Sequence, residues 1–143
     1  VVDGTVERVD MDSHGYPNRY ELYRLLDLHG KPEQVLVSIV PDTPAGYPWY
    51  DMVLLYPEQG IIAAYSGRAG LSEHNVKICA HGTYPGLYLR QPGSMTLNEL
   101  KYSFWDFQVV RAMDLIDYAT GLDLETFYQV MKDKSGCLLV PFE

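Results

Sequence analysis

The chain has few basic residues, only two cysteines and no long apolar run. Its 11 Lys+Arg stand against 19 Asp+Glu, a formal net charge of −8. This acidity disfavours nucleic acid or an anionic membrane surface as a partner. No apolar stretch approaches the roughly 20 residues that a transmembrane helix needs. No P-loop, dinucleotide-binding glycine motif or G-x-S-x-G nucleophile motif occurs, so we expect a protein that is not an enzyme.

The composition that is present indicates one globular domain. The chain has 143 residues, of which 47% are hydrophobic, and no repeat or linker divides it. A chain of this length can bury a core of its own. It contains 12 tyrosines against 4 phenylalanines. Because tyrosine covers apolar surface while keeping a polar tip, this composition suits adhesive and extracytoplasmic domains.

The apolar periodicity predicts a single α+β domain, an antiparallel sheet with helices packed on one face. In residues 1–17 it predicts a strand and a loop. In 18–66 it predicts a helix over 19–29, with Asn18 as N-cap, Glu21 closing a capping box and Gly30 as the stop. Strands over 34–40, 50–56 and 61–66 follow. The first alternates, with Val35, Val37 and Ile39 on one face, and a hairpin turn at 57–60 joins the second to the third. In 67–143 it predicts short strands and C-terminal helices. The elements there are a polar loop over 67–75, strands over 76–79 and 87–91, and helix or strand over 97–107. Helices over 110–119 and 124–131 follow, the second capped by Asp123, and a last strand lies over 137–140.

The two cysteines, Cys79 and Cys137, match no C-x-x-C redox or zinc spacing. The even count favours a disulfide in an oxidising compartment. It would close a loop of about 59 residues and contribute about 4 kcal/mol in the chain-entropy description. The chain begins Val1-Val2-Asp3 without a methionine, so either a leader has been removed or this sequence starts after the natural first residue. The even cysteine count and the missing methionine agree with one another. We therefore expect an extracytoplasmic protein, periplasmic or on the cell surface.

A segment near the N-terminus has the ligand spacing of an EF-hand calcium loop, which places oxygen ligands at positions 1, 3, 5, 7, 9 and 12 and glycine at position 6. Gly15 takes the glycine position, whereas a histidine at position 5 and Pro17 at position 8 depart from the pattern. The alternative is a metal-free capped loop. The predicted Ca²⁺ ligands are Asp10, Asp12, His14, Tyr16 through its carbonyl, Asn18 and Glu21.

Two loops place aromatic side chains beside prolines, at 47–50 and 84–88. Tyrosine and tryptophan are enriched where proteins bind one another. The alternative is that these rings close over the core and face no partner. The predicted partner-binding residues are Tyr47, Trp49, Tyr50, Tyr84 and Tyr88.

Two short segments within 18–66 carry a resemblance to known families. They are Leu25-Leu26-x-Leu28-x-Gly30-Lys31-Pro32 and Leu55-Tyr56-Pro57-Glu58-Gln59-Gly60. This order of helix, stop and hairpin resembles the small outer-membrane-assembly lipoproteins of the SmpA/OmlA type and the β-lactamase-inhibitory-protein-like folds. The second half is similar to bacterial lipoproteins of no assigned role. The resemblance implies an exported, lipid-tethered, non-enzymatic domain that supports an envelope assembly.

The leading hypothesis is an extracytoplasmic interaction or assembly module, an accessory subunit of a larger envelope or membrane-associated complex. Its partner would be a protein, with no nucleic acid, no transmembrane segment and a possible lipid tether. One alternative is a calcium-stabilised binding module that uses the EF-hand-like loop. The other is a small hydrolase whose active site is assembled from scattered residues.

Overall fold

A six-stranded antiparallel sheet forms the larger layer of the structure. The computed structural model describes residues 8–12, 20–83, 85–90, 92–93 and 114–141. The strands of the larger sheet follow the order β1-β7-β4-β3-β2-β8. Their bounds are β1 Arg8–Asp12, β2 Gln34–Val40, β3 Trp49–Tyr56, β4 Ile61–Arg68, β7 Pro85–Arg90 and β8 Asp114–Leu115. Each neighbouring pair is antiparallel.

A smaller antiparallel sheet and three helices complete the described fold, which is a small single-domain α+β fold as predicted. The smaller sheet has the order β5-β6-β9, and a disulfide joins Cys79 of β6 to Cys137 of β9, which confirms the predicted pair. These two cysteines are directly opposite one another in the strand register. The remaining bounds are α1 Leu22–His29, β5 Gly70–Ser72, β6 Asn75–Cys79, α2 Ile116–Thr120, α3 Leu124–Met131 and β9 Cys137–Pro141.

The main core lies between one face of the larger sheet, the helices and the inner face of the smaller sheet. The strand register places Val35, Leu54 and Ala63 side by side on this face, and they pack with the buried leucines of α1. The opposite face is also buried at Leu36 and Ile62. The sequence predicts alternation along β2, with one side apolar. Instead, the middle of β2 is buried on both sides.

Helix α1 begins later than predicted and uses a different cap. It starts at Leu22, and Glu21 takes the N-cap position without a side-chain bond to its own helix. Instead, the Thr83 hydroxyl oxygen accepts from the Leu22 amide at 2.8 Å. A partner distant in sequence therefore replaces the predicted local capping box. The helix ends as predicted, because Gly30 adopts a positive φ of 81° and donates to the Leu26 carbonyl.

In the C-terminal part, Asp123 caps α3 as predicted, since its carboxylate accepts from the Thr126 amide at 2.7 Å. The helix predicted over 110–119 is wrong at its described end. Asp114–Leu115 forms β8 and pairs with β2 before α2 begins, because an extended backbone here bonds to the sheet edge. The polar loop predicted over 67–75 is also wrong, since β5 occupies part of it and pairs with β6. The stretch 97–107 lies outside the described residues.

None of the helices in the described part of the chain is both long and apolar enough to cross a lipid bilayer.

The burial of three tyrosines predicts that the protein loses stability in alkaline solution. Burial raises the pKa of Tyr50 to about 12, and it also raises the pKa values of Tyr56 and Tyr65. Unfolded tyrosine has a pKa near 10, so between about pH 10 and 12 the unfolded chain releases protons that the folded chain keeps. Stability is full below pH 10 and falls above it, by roughly 1 kcal/mol per tyrosine at pH 11. Urea unfolding from pH 8 to 11.5 measures this.

The control is Tyr50→Phe, which removes one titrating group and must make the alkaline fall less steep. A urea midpoint that stays constant to pH 11.5 in the unmodified protein would contradict the burial of these hydroxyls.

The backbone around Gly136 leaves no room for a Cβ, so any substitution at this position is predicted to lower the stability of the fold. A Cβ built there would overlap the Val130 carbonyl oxygen at the end of α3 and lie 3.0 Å from the Asp133 carbonyl. We expect Gly136→Ala to lower the free energy of unfolding by about 1–3 kcal/mol, the usual cost of overpacking. The matched control is Gly70→Ala, whose Cβ would meet Lys77 at an ordinary 3.5 Å. Equal unfolding midpoints for the two variants would disprove the close approach.

Candidate functional site

An exposed aromatic cluster lies at one end of the larger sheet. Trp49 opens β3 and pairs with Val40 of β2 on one side and with Arg68 of β4 on the other. Directly paired residues point to the same face of a sheet, so these three side chains form a row across three strands. Tyr47 joins the row from the loop before β3. We call the side chains of Val40, Tyr47, Trp49 and Arg68 the aromatic platform.

The platform is ordered by stacking. The Arg68 guanidinium carbon lies 4.6 Å from the centre of the Tyr47 ring, within the range of a cation–π contact. The Tyr47 and Trp49 rings are tilted at 37° with centroids 6.5 Å apart, which is a usual aromatic pair geometry. Yet Trp49 is 36% exposed and Val40 is 43% exposed. The platform therefore presents apolar and aromatic surface to solvent beside one cation.

The loop that carries Tyr47 is held by its own hydrogen bonds. A turn is closed by the Gly46 amide, which donates to the Thr43 carbonyl at 2.8 Å, and Gly46 has the positive φ of 81° that the turn requires. The Thr43 hydroxyl donates to the Tyr47 carbonyl at 2.6 Å. Beyond the loop, the Ala69 amide donates to the Pro48 carbonyl at 2.9 Å. A surface fixed in advance loses little conformational entropy when a partner binds.

The five predicted partner-binding residues do not share one surface. Tyr50 is 5% exposed and Tyr88 is 8% exposed, so neither offers contact area in this fold. Tyr50 lies on the core face of β3, while Tyr88 lies on the opposite, also buried, face with its hydroxyl over Gly86. Tyr84 lies outside the described residues. Only Tyr47 and Trp49 are brought together.

The predicted calcium ligands are described only in part. Asp10 and Asp12 lie in β1, opposite Tyr88 and Gly86 of β7. Glu21 is 9% exposed, and its carboxylate accepts from the Gly82 amide at 2.7 Å. His14, Tyr16 and Asn18 lie outside the described residues, and the calcium site stays a prediction. Within the described ranges, no three His, Cys, Asp or Glu side chains are grouped closely enough to hold a metal ion.

An open cleft of about 490 Å³ lies between the start of β2, the β3–β4 turn and α3. Its walls include Lys31, Glu33 and Glu58. Lys31 pairs at 2.9 Å with Glu125 at the rim, and both side chains are about half exposed. Hydrogen bonds from Gln129 and Lys31 lower the pKa of Glu125, while the hydrogen bond to Glu125 raises the pKa of Lys31. Both groups are therefore held charged, as in a solvated ion pair.

Arg68 and Val40 were not predicted from the sequence as site residues. The hairpin turn that the sequence predicts at 57–60 pairs Tyr56 with Ile61. Continuing that antiparallel register brings Trp49 opposite Arg68. The predicted strand over 61–66 ends two residues before Arg68, so the sequence pattern alone does not place Arg68 beside Trp49.

Removal of the Glu21 carboxylate is predicted to lower the free energy of unfolding even when no calcium is present. In Glu21→Ala the amide of Gly82, an exposed residue, loses its carboxylate acceptor, which costs about 0.5–1.5 kcal/mol of unfolding free energy, the net value of one hydrogen bond. Glu21→Gln keeps an acceptor oxygen and must lose less. Urea unfolding in the presence of a chelator compares the two variants with the unmodified protein. Equal stability of all three would show that this hydrogen bond does not support the helix.

The EF-hand-like loop makes a separate prediction. If Asp10 to Glu21 enclose Ca²⁺, millimolar Ca²⁺ raises the Tm of the unmodified protein, and Glu21→Ala abolishes the rise. Thermal unfolding with Ca²⁺, and with Mg²⁺ as the control ion, measures this. An unchanged Tm removes the calcium-stabilised module as an alternative.

The chain was compared with protein-family models, with curated proteins and with solved structures, and none of the three comparisons gives a significant match.

Proposed function

We propose that the chain is an extracytoplasmic, non-enzymatic interaction module that binds a protein partner through the aromatic platform. In this proposal it serves as an accessory subunit of a larger envelope or membrane-associated complex. The observation that carries the proposal is the exposed Trp49 ring, held between Val40 and the Arg68–Tyr47 stack. Tryptophan, tyrosine and arginine are the residue types that most often dominate binding energy at protein interfaces.

The disulfide supports the choice of compartment. Cross-links between cysteines persist in oxidising environments and are rare in reducing ones. Cys79 and Cys137 lie on the outer face of the smaller sheet, where both are half-buried. A half-buried disulfide of this kind is more common where reductants are scarce, which favours an exported domain.

The titrating groups of the described residues support a binding protein over a hydrolase. Strongly shifted pKa values often mark catalytic groups. Here the largest shifts belong to Tyr56 and Tyr65, and burial is their first cause. Their hydroxyls donate to the carbonyls of Gly30 and Tyr20. These bonds give both tyrosines a structural role in the core.

Trp49→Ala tests the proposal. Removal of the exposed ring is expected to weaken partner binding at least 30-fold, the equivalent of about 2 kcal/mol at a binding hot spot. Stability is expected to fall by about 1 kcal/mol or less, because the lost contacts are cross-strand ones at the surface. The tagged chain is purified with its partner from its native source, and the bound partner is quantified against the urea midpoint of the same variant.

Leu28→Ala is the matched control, since Leu28 is a large exposed apolar residue on α1, away from the platform. It must retain the partner. If Trp49→Ala keeps every partner and loses several kcal/mol of stability, the ring is a lid over the core and the proposal fails.

A further inference from the structure

We propose that the aromatic platform recognises an acidic peptide segment, in which a carboxylate binds Arg68 and a neighbouring aliphatic side chain packs on Trp49 and Val40. This inference rests on the proposed function and names the chemistry of the partner. In this proposal Arg68 binds the carboxylate, so its present contacts matter first. Its guanidinium carbon lies over the Tyr47 ring, 4.6 Å from the ring centre, and a guanidinium that stacks on an aromatic ring keeps its in-plane N–H donors for a second ligand. Among the residues that the structure describes, no carboxylate pairs with Arg68.

Among the described residues, Arg24 and Lys132 also lie over tyrosine rings. Their contacts are local to one helix, unlike that of Arg68. Arg24 lies 5.6 Å from the ring of its neighbour Tyr23, and its Nε donates to the hydroxyl of that same residue. Lys132 lies 5.1 Å from the Tyr128 ring, within α3 and its cap. Both contacts join residues of one helix. Of these three contacts between described residues, the Arg68 contact is the one that joins a strand to a loop and lies beside an exposed tryptophan.

Charge complementarity at Arg68 points to a carboxylate in the bound segment, not to a partner that is acidic over its whole surface. The protein as a whole carries a formal charge of −8, so a second acidic surface is repelled over most of its area. A single cation inside an apolar patch reverses that preference locally and fixes the register of binding. Within the platform a partner's carboxylate is attracted only at Arg68. The contact is therefore selective for a segment that places a carboxylate at that position.

The surroundings favour a peptide over an anionic sugar. A sugar presents several hydroxyls and needs side-chain acceptors beside the ring. The Thr43 hydroxyl is donated to the Tyr47 carbonyl, and Asp51, the next residue on the Trp49 face of β3, is half-buried and already engaged. Val40 instead offers a methyl surface next to Trp49, which an aliphatic side chain covers well.

The experiment uses two matched peptides and the full chain labelled with 5-fluorotryptophan. The sequence has two tryptophans, so ¹⁹F NMR gives two signals, and Trp49→Phe assigns them. The acidic peptide is acetyl-Gly-Gly-Leu-Glu-Leu-Glu-Gly-Gly-amide, and its counterpart has Gln in place of both Glu. We expect the acidic peptide to shift the Trp49 signal in a saturable manner and the Gln peptide to bind at least 5-fold more weakly.

The variants separate the parts of the site. Arg68→Gln is expected to remove the difference between the peptides, and Arg68→Lys to keep part of it, because lysine retains the charge but not the planar fork. Arg24→Gln is the control, since it deletes a cation over a tyrosine elsewhere and must leave both affinities unchanged.

Three outcomes overturn the inference. Equal binding of the two peptides shows an apolar surface without acid selectivity, which leaves the proposed function intact. Saturable shifts with sodium glucuronate but with neither peptide assign the platform to an anionic sugar. No shift with any probe, while Trp49→Ala still releases the natural partner, shows that the platform binds a protein of different chemistry. Failure of the proposed function itself is seen separately, as retention of that partner by Trp49→Ala.

Discussion

The short loop after Cys79 joins the smaller sheet to the first helix, and the packing of the core depends on that junction. Its Gly82 amide donates to Glu21, and its Thr83 hydroxyl accepts from the first amide of α1. The disulfide ties the start of the loop to β9. The helix that carries three of the most deeply buried leucines is thus positioned by a segment about 60 residues away in sequence. A charged group near a helix N-terminus also interacts favourably with the helix dipole.

Much of the fold could be predicted because its signals are local. The stop at Gly30 and the cap at Asp123 each need only neighbouring residues, and both were predicted. The start of α1 could not be predicted in this way, since its cap comes from Thr83. Nor could β8, because the hydrogen bonds that Asp114 and Leu115 make with β2 outweigh the helical pattern around them. Long-range pairing leaves little trace in local periodicity.

The partner-binding role of the predicted aromatic residues stays a prediction, but the structure shows which of them lie together. Tyr47 and Trp49, on either side of Pro48, have their rings 6.5 Å apart. Tyr50, one residue further on, faces the core because successive strand residues point to opposite sides. Arg68 supplies the charge that composition alone does not place beside them, and it does so through the β3–β4 register. Which residues meet in an exposed cluster of this kind thus depends more on strand pairing than on a local sequence motif.

The Cys79–Cys137 disulfide supports the proposed exported location, and the exposed platform supports the proposed role in binding a partner. The most direct test of that account is the intact mass of the chain purified from its native source without reductant and again after reduction. The account predicts a mass lower by two hydrogen atoms before reduction, with both Cys79 and Cys137 protected from alkylation. Two free thiols in the native chain would contradict it, since the oxidising compartment and the β6–β9 cross-link would both be lost.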